Sequence, residues 1–393
     1  MKVAIVHDWF AVYGGAERVL EQLIKCFPQA ELYTTVDFIP AAQRDFIQGR
    51  PIHTSFLQSI PFISKVYKLC LPLMPTAIER FDLRAYDLVI SCSFAVAKGV
   101  LTHADQLHVC YLQARNLKYA YEDRFLYQGN AVVRLLQDLQ LSRIRVWDSI
   151  ASKRPDVTVA NSQYVRHWHR KRHAIECEVI YPPVDLRRFS FDPTIERDDY
   201  YITTSRLEPY KRIDLIVDAC TRLGVPLVVI GSGSEMARLK KSAGQNVRFL
   251  GYQKGDVIEK MTARAKAFIF ASCEDFGIAP LEAQACGTPV IALGKGGVLE
   301  TIVGLDQPVP TGAFFGQQTV ESLVTAISTF ETRRGEISAA ACREQALQFS
   351  NEFFRKRFID FVGLKLAQFH ATVRARTATP ALSSPASALT DPA

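Results

Sequence analysis

The sequence predicts an α/β protein built from two Rossmann-like halves, and three observations carry that expectation. The chain opens on a short apolar strand, a Gly14-Gly15 turn and an amphipathic helix. Apolar runs of strand length then alternate with helix-periodic segments as far as residue 292. A double proline, Pro182-Pro183, interrupts that alternation, because neither a helix nor a central strand continues through it.

Val3–Val6 is the first strand and ends in the polar pair His7-Asp8. From about Ala16, the residues Val19, Leu20, Leu23 and Ile24 recur on one helical face. Strand, glycine turn and helix is how a Rossmann unit begins. Leu88–Ser91, Leu107–Tyr111 and Val157–Ala160 are further buried strands, the last leading into Asn161-Ser162, a helix N-cap pair. Past the prolines come strand Tyr201–Ser205, helix Asp214–Leu223, strand Leu227–Gly231, helix Ser234–Ala243 and strand Val247–Leu250. Strand Ala267–Phe270, a helix from about Pro280 to Ala285 and strand Pro289–Ala292 complete the series. Such alternation argues for parallel sheets with helices on both faces. The expected division is a Rossmann-like domain over 1–182 and a second over 183–350, facing each other. A helix over 351–370 packs back on the first domain. The tail, 371–393, is small, polar, proline-rich and expected to be disordered.

With 393 residues the chain has room for two domains of roughly 150 residues each. An apolar content of 48% and a charged content of 22% are those of an ordinary globular protein with a normal core. The net charge of +7 permits anionic partners such as phosphates, nucleotides or lipid headgroups without choosing among them. Nucleic-acid binding is disfavoured by that modest charge and the lack of a stacking motif. Nine scattered cysteines, none in a C-x-x-C pair, speak against zinc and a disulfide framework and fit reduced thiols in a cytoplasmic setting. The first apolar run is too short for a secretory signal, and no stretch reaches the roughly 18 apolar residues of a membrane span.

The strongest chemical signal is Glu274 to Glu282, E-D-F-G-I-A-P-L-E, followed by a second glycine-rich turn over 292–298. Its order is strand, Glu274, a loop through Phe276-Gly277-Ile278, then Pro280 near a helix start and Glu282 inside the helix. Amides at that helix N-terminus are available to hydroxyls or a phosphate, and two acids in this setting suit a site holding a sugar by one and a ribose by the other. Taken alone, Glu274 also reads as an acid favoured by a helix dipole. After strand 201–205, Arg206 and Lys211 are placed either to neutralise a diphosphate beyond the strand ends or to form a solvated basic loop. Gly231-Ser232-Gly233 is either an anion-binding turn or a tight strand-to-helix connection. Gly14-Gly15 has the same two readings. No G-x-G-x-x-G follows the first strand, which sets a dinucleotide oxidoreductase aside.

Arg206, Lys211 and the Glu274–Glu282 pair in a second Rossmann-like half resemble the retaining nucleotide-sugar glycosyltransferases of the GT-B fold, family 4, over about residues 1–365. H-D-W-F-A-V-Y-G-G-A-E-R-V, L-P-L-M-P-T-A-I-E-R-F-D-L, Y-D-L-V-I-S-C-S, A-K-G-V-L, V-A-N-S-Q-Y-V and V-I-Y-P-P-V-D are similar to bacterial mannosyltransferases of surface-polysaccharide assembly. The resemblance implies a nucleotide-sugar donor, GDP-mannose or a UDP-sugar, and a lipid-linked glycan acceptor. It implies that Arg206 and Lys211 hold the donor diphosphate, with the Gly14-Gly15 loop closing over it. Glu274 would contact the transferred sugar with the amides of Phe276, Gly277 and Ile278, and Glu282 the ribose hydroxyls. Cationic side chains and amides would do the charge work, so no metal or other cofactor is expected.

The chain departs from the family pattern at one place. Where the family has a histidine, a small residue and a proline after the strand that ends at Tyr111, this chain carries Gln113. Glutamine hydrogen-bonds a sugar but is neither acid nor base near neutrality. That raises an altered acceptor, or a non-catalytic subunit that binds nucleotide sugar for a partner. Arg115 and Lys118 would add positive charge for a pyrophosphate-linked acceptor, with Asp8 a further cleft residue.

Two segments remain open. Arg166–His173 is a dense basic cluster around Trp168, read as a contact for anionic membrane on the inner face of the plasma membrane or as a solvated helix face. Phe56–Pro75, apolar with interspersed lysines, docks a lipid-linked acceptor or packs into the core. His7, His103 and His108 read as structural rather than catalytic.

Overall fold

The computed structural model describes residues 1–115, 117–121 and 131–377. Two parallel sheets organise them. The first contains β1 (Val3–His7), β2 (Glu31–Thr34), β3 (Ile52–Thr54), β4 (Leu88–Ser93), β5 (Leu107–Leu112), β6 (Val157–Ala160) and β7 (Glu178–Val179). Their order is β3-β2-β1-β4-β5-β6-β7. The second contains β8 (Tyr201–Thr204), β9 (Leu227–Ile230), β10 (Val247–Gly251), β11 (Ala267–Phe270), β12 (Val290–Leu293) and β13 (Gly312–Phe315), ordered β10-β9-β8-β11-β12-β13.

Burial on both faces explains the uninterrupted apolar runs. In β1, Val3 and Ile5 join one core with Leu20, Leu23 and Ile24 of the Gly15–Cys26 helix, while Ala4 and Val6 enter the opposite core. Ile5 pairs in register with Ile90 of β4, so the alternation continues across the sheet. The second sheet is covered likewise: Leu215, Ile216, Ala219 and Cys220 of the Ile213–Leu223 helix pack on one face, and Ala283 of the Ile278–Ala285 helix on the other.

In both sheets the winding reverses beside the first strand of the half. That leaves a crevice beyond the carboxyl ends of β1 and β4 in one and of β8 and β11 in the other. The chain crosses between halves twice at adjacent points. Val184, just past the prolines, donates its amide to the Phe349 carbonyl (2.7 Å), and Tyr181 rests on Phe349 and Phe276.

The C-terminal helix begins at Asn351, and Phe354, Phe358 and Val362 are buried in the core of the first sheet beside Phe27 and Tyr111. It runs on to Thr377, which corrects the boundary placed at residue 370: residues 371–377 continue the helix. Residues 378–393, the remainder of the segment expected to be disordered, lie outside the described residues.

Buried imidazoles behind the first sheet carry a pH dependence. His108 of β5 meets the Ser91 hydroxyl (2.8 Å), and burial pushes its pKa down to about 3. His169 and His173 lie on the Gln163–His173 helix near the buried Lys98–Asp148 ion pair (2.7 Å); burial, then Lys98, pushes His169 down to about 3, and burial lowers His173. A histidine with a depressed folded-state pKa is neutral when folded, yet takes a proton when unfolded below about 6.5. The unfolded state then binds more protons, so stability is fully present above that pH and is lost as pH falls toward 3. The expected loss is about 1.4 kcal/mol per pH unit for each such group. Chemical denaturation across this window should show that slope, reduced in His169→Leu; the same slope in that variant would contradict the assignment.

Candidate active site

The loop after β8 is shaped by glycines of the next connection. Leu207 is fully buried, its amide bonds to the Ser232 carbonyl (2.9 Å), and its carbonyl accepts from Glu235 (2.9 Å). A side chain at Gly231 or Gly233 would drive into the backbone of Ser205 or Leu207. The Gly231-Ser232-Gly233 turn is therefore a packing device that seats the 205–212 loop. On that loop Arg206 is exposed and donates to the Tyr210 hydroxyl (2.6 Å), while Lys211 reaches inward to the Glu274 carboxylate.

The loop after β11 is set by the second glycine-rich turn. Gly296, at φ +86°, and Gly297 pass directly beneath the backbone of 274–276, where a Cβ would collide, and the Gly297 amide donates to the Glu274 carbonyl (2.9 Å). Glu274 also accepts from Ser272 (3.2 Å). Gly277, at φ +95°, turns the chain into the Ile278–Ala285 helix. The Phe276 ring is buried against Tyr181 and Phe349, so only its backbone is available to a ligand. Among the described residues no protein acceptor takes the amides of Phe276, Gly277 and Ile278. A helix N-terminus left so carries partial positive charge.

The first half meets this loop with a helix N-terminus of its own. Gly14 caps the Gly15–Cys26 helix, its amide donating to Glu17 (2.9 Å), and a Cβ on Gly15 would stand 3.3 Å from the Ile278 side chain. Two helix starts thus abut beside Lys211. One turn on, Arg18 forms an ion pair with Glu282, which is almost buried. Each of the two acids accordingly holds a cation: Glu274 has Lys211, and Glu282 has Arg18. Gln113 borders the same corner: its side chain donates to the Ala16 carbonyl (3.2 Å) and its carbonyl accepts from Asn161 (2.9 Å).

Three expected acceptor contacts fare differently. Asp8 is fully buried, and its carboxylate accepts the amides of Phe94 (2.6 Å), Ala95 (3.1 Å), Val96 and Ala97 (2.6 Å). It fastens the turn after β4 and does not face the cleft, which corrects its assignment as a cleft residue. Arg115 binds Asp275 through its amide (3.1 Å) and guanidinium (2.6 Å) and lies over the Tyr164 ring, so its charge ties the halves together. Burial raises the Asp275 pKa above the usual aspartate value, with Arg115 opposing. The Lys118 side chain lies outside the described residues.

Sequence reasoning missed Arg18 and a set of ties between the halves. Ser162 donates its hydroxyl to the Asp275 carbonyl (2.6 Å) while capping Val165 (3.1 Å). The Glu300 carboxylate accepts the amides of Gln163 (2.7 Å) and Tyr164 (2.9 Å) at the same helix start. Helical periodicity placed Arg18 on a helix; pairing with a residue 264 positions away has no local signature. The basic cluster is partly spent internally: Arg166 and Arg170 pair with Glu176, and Arg172 stacks on Tyr121. Among the described residues no group of three or more His, Cys, Asp or Glu could hold a metal ion, and no helix is long and apolar enough to cross a membrane.

Known proteins resemble the chain in sequence and in fold. Residues 187–349 match the family described as Glycosyl transferases group 1. The D-inositol 3-phosphate glycosyltransferase of Mycobacteroides abscessus is 28% identical over 221 residues, 51% of this chain and 49% of that protein. A GDP-mannose-dependent monoacylated alpha-(1-6)-phosphatidylinositol monomannoside mannosyltransferase of Corynebacterium glutamicum is 32% identical over 179 residues, 40% and 45% of the two chains. The chain thus spans about half the length of the curated relatives it matches. In structure it resembles Anabaena Alr3699/HepE in complex with UDP (TM-score 0.66, 19% identity, 92% of this chain and 100% of that one). The sucrose-phosphate synthase of Thermosynechococcus elongatus is similar to the same degree (TM-score 0.66, 17% identity, 96% and 100%). The chain therefore has the GT-B fold, and over residues 187–349 it is similar to the glycosyl transferases group 1 family.

Proposed function

We propose that the protein is a retaining hexosyltransferase of family 4 that moves mannose from GDP-mannose to a lipid-linked or growing surface-polysaccharide glycan on the cytoplasmic side of a membrane. What supports this is the meeting of two helix N-termini beside the Lys211–Glu274 and Arg18–Glu282 ion pairs, with Arg206 exposed on the same loop as Lys211. Arg206, Lys211 and the amides of 276–278 receive the diphosphate, with Gly14-Gly15 above it. Glu274 orients the hexose and Glu282 the ribose. Donor binding exchanges partners: Lys211 leaves Glu274 for phosphate, and Arg18 releases Glu282.

In the reaction the bond from the anomeric carbon to the phosphate oxygen breaks and a bond to the acceptor oxygen forms on the same face. The acceptor's proton passes to the departing phosphate. Gln113, beside Ala16, serves as a hydrogen-bonding residue in the family histidine's place, since it cannot carry that proton. Charge on the diphosphate is met by side chains and amides, without a metal.

Mannose from GDP-mannose is favoured by relatives whose names specify GDP-mannose-dependent mannosyl transfer. A UDP-sugar is the alternative, given the UDP held by the Anabaena structure. Thermal shift against a nucleotide panel should favour GDP by several degrees, and mass spectrometry of product formed on a polyprenyl-diphosphate glycan should show added hexose, unchanged by chelator. A larger shift with UDP, or activity lost to chelator and restored by magnesium, would contradict this account. A non-catalytic subunit, motivated by Gln113, would bind nucleotide yet give no product.

A further inference from the structure

We infer that the lobe of residues 56–73, together with the outward face of the Ala131–Ala151 helix, seats on an anionic bilayer and holds the cleft mouth at headgroup level. The lobe is only partly core. Leu57, Ile63 and Leu71 are buried, but Phe62 is 77% exposed and Leu69 is 68% exposed, with Leu73 also open to solvent. Phe62 sits at φ +57°, a left-handed conformation that a phenylalanine rarely adopts. From Phe56 to Ile78 the sequence holds Lys65 and Lys68, both exposed, and no carboxylate.

The neighbouring helix has two opposed apolar stripes. Leu141, Ile144 and Ala151 face the domain core. On the other side Leu139, Val146 (60% exposed) and Ile150 line up in solvent at helical spacing, with exposed Arg143 among them and Asp138 on the flank. A surface helix that buries one stripe ordinarily presents a polar face opposite, so the second stripe calls for a partner. The Leu71–Leu73 turn packs on this helix, which brings lobe and stripe side by side.

Charge selects the partner. Apolar side chains flanked by lysine and arginine, with Asp138 the flanking acid among the described residues, match the headgroup zone of an anionic leaflet. A symmetric contact between two copies of this patch would instead set the same cations against each other. The lobe also packs toward the cleft side of the first sheet: Tyr67 stands against Trp9 (5.9 Å) just past β1, and burial raises its phenol pKa with the Arg206 charge opposing. A seated lobe would present the cleft to an acceptor whose lipid stays in the bilayer. In that respect the inference deepens the proposed function and rests on it.

Flotation of the full chain with phosphatidylcholine vesicles, with and without phosphatidylglycerol, tests this. The protein should float with the anionic vesicles and not with the neutral ones. Combined Phe62→Ser, Leu69→Ser and Leu73→Ser should reduce the bound fraction about tenfold or more, from the apolar area withheld from lipid. Val146→Ser with Ile150→Ser should weaken binding through the helix, and Arg170→Ala with Lys171→Ala should leave it unchanged. Flotation of the triple variant at the wild-type level, no flotation of the wild type, or loss of flotation only in the Arg170 and Lys171 variant would overturn the inference. So would a wild-type dimer in light scattering that the helix variant dissolves. Thermal shift with GDP, without vesicles, reports separately on the donor site: a normal shift with failed flotation sinks the docking surface alone.

Discussion

Glu274→Gln is expected to lower turnover by about 10²–10³-fold with little change in nucleotide affinity, the range found when one preorganised electrostatic contact to a transition state is removed. The substitution keeps shape and hydrogen-bonding capacity but removes the charge. That charge stands beside Lys211 and Ser272 at the start of the loop whose glycine support fixes its position. Glutamine also releases Lys211, so the diphosphate should bind at least as well as before. Turnover from product formation, set beside nucleotide affinity from calorimetry, separates the effects. Unaltered turnover would remove Glu274 from the chemistry, and loss of nucleotide binding by the folded variant would assign it to the diphosphate instead.

The second large effect falls on the opposite partner. Lys211→Met keeps the alkyl stem but removes the ammonium, and the donor's dissociation constant should rise about ten- to hundredfold, the worth of a charge-assisted hydrogen bond of about 1.5–3 kcal/mol. Lys211 precedes Arg212, whose φ of +52° turns the chain into the Ile213–Leu223 helix, so the loop fixes where the ammonium emerges. Affinity titrated against salt should fall more steeply for the wild type than for the variant. Equal affinity would take Lys211 out of the donor site and leave it as a partner of Glu274 alone.

What the sequence made legible follows from how local each cause is. β11 falls on the expected residues because a four-residue apolar run buried on both faces has little freedom in where it ends, and β6, Val157–Ala160, is bounded by the Asn161-Ser162 cap that follows it. Ser162 caps its helix as its residue type implies. The strands at Glu31–Thr34, Ile52–Thr54, Glu178–Val179 and Gly312–Phe315 were missed: the first and last mix polar or glycine positions into short runs, Ile52–Thr54 is an exposed edge, and Glu178–Val179 is only two residues long. Within the site, the segment 274–282 stood out because strand, loop and helix start are contiguous. Arg18, Asp275 and Glu300 did not, since each acts on a residue from the other half, and such pairing leaves no trace in spacing. Asp8 shows the converse error. A carboxylate at the end of a strand looks like a cleft residue until the amides of the turn after β4 are seen to consume it.

Diffraction from crystals soaked with GDP-mannose would locate the donor relative to the two ion pairs. Diphosphate density is expected against Arg206, Lys211 and the amides of 276–278, with the ribose on Glu282, Arg18 swung away and the hexose beside Glu274. A nucleotide lying elsewhere on the molecule, or bound in the cleft with Lys211 and Arg18 still paired to the two glutamates, would contradict it.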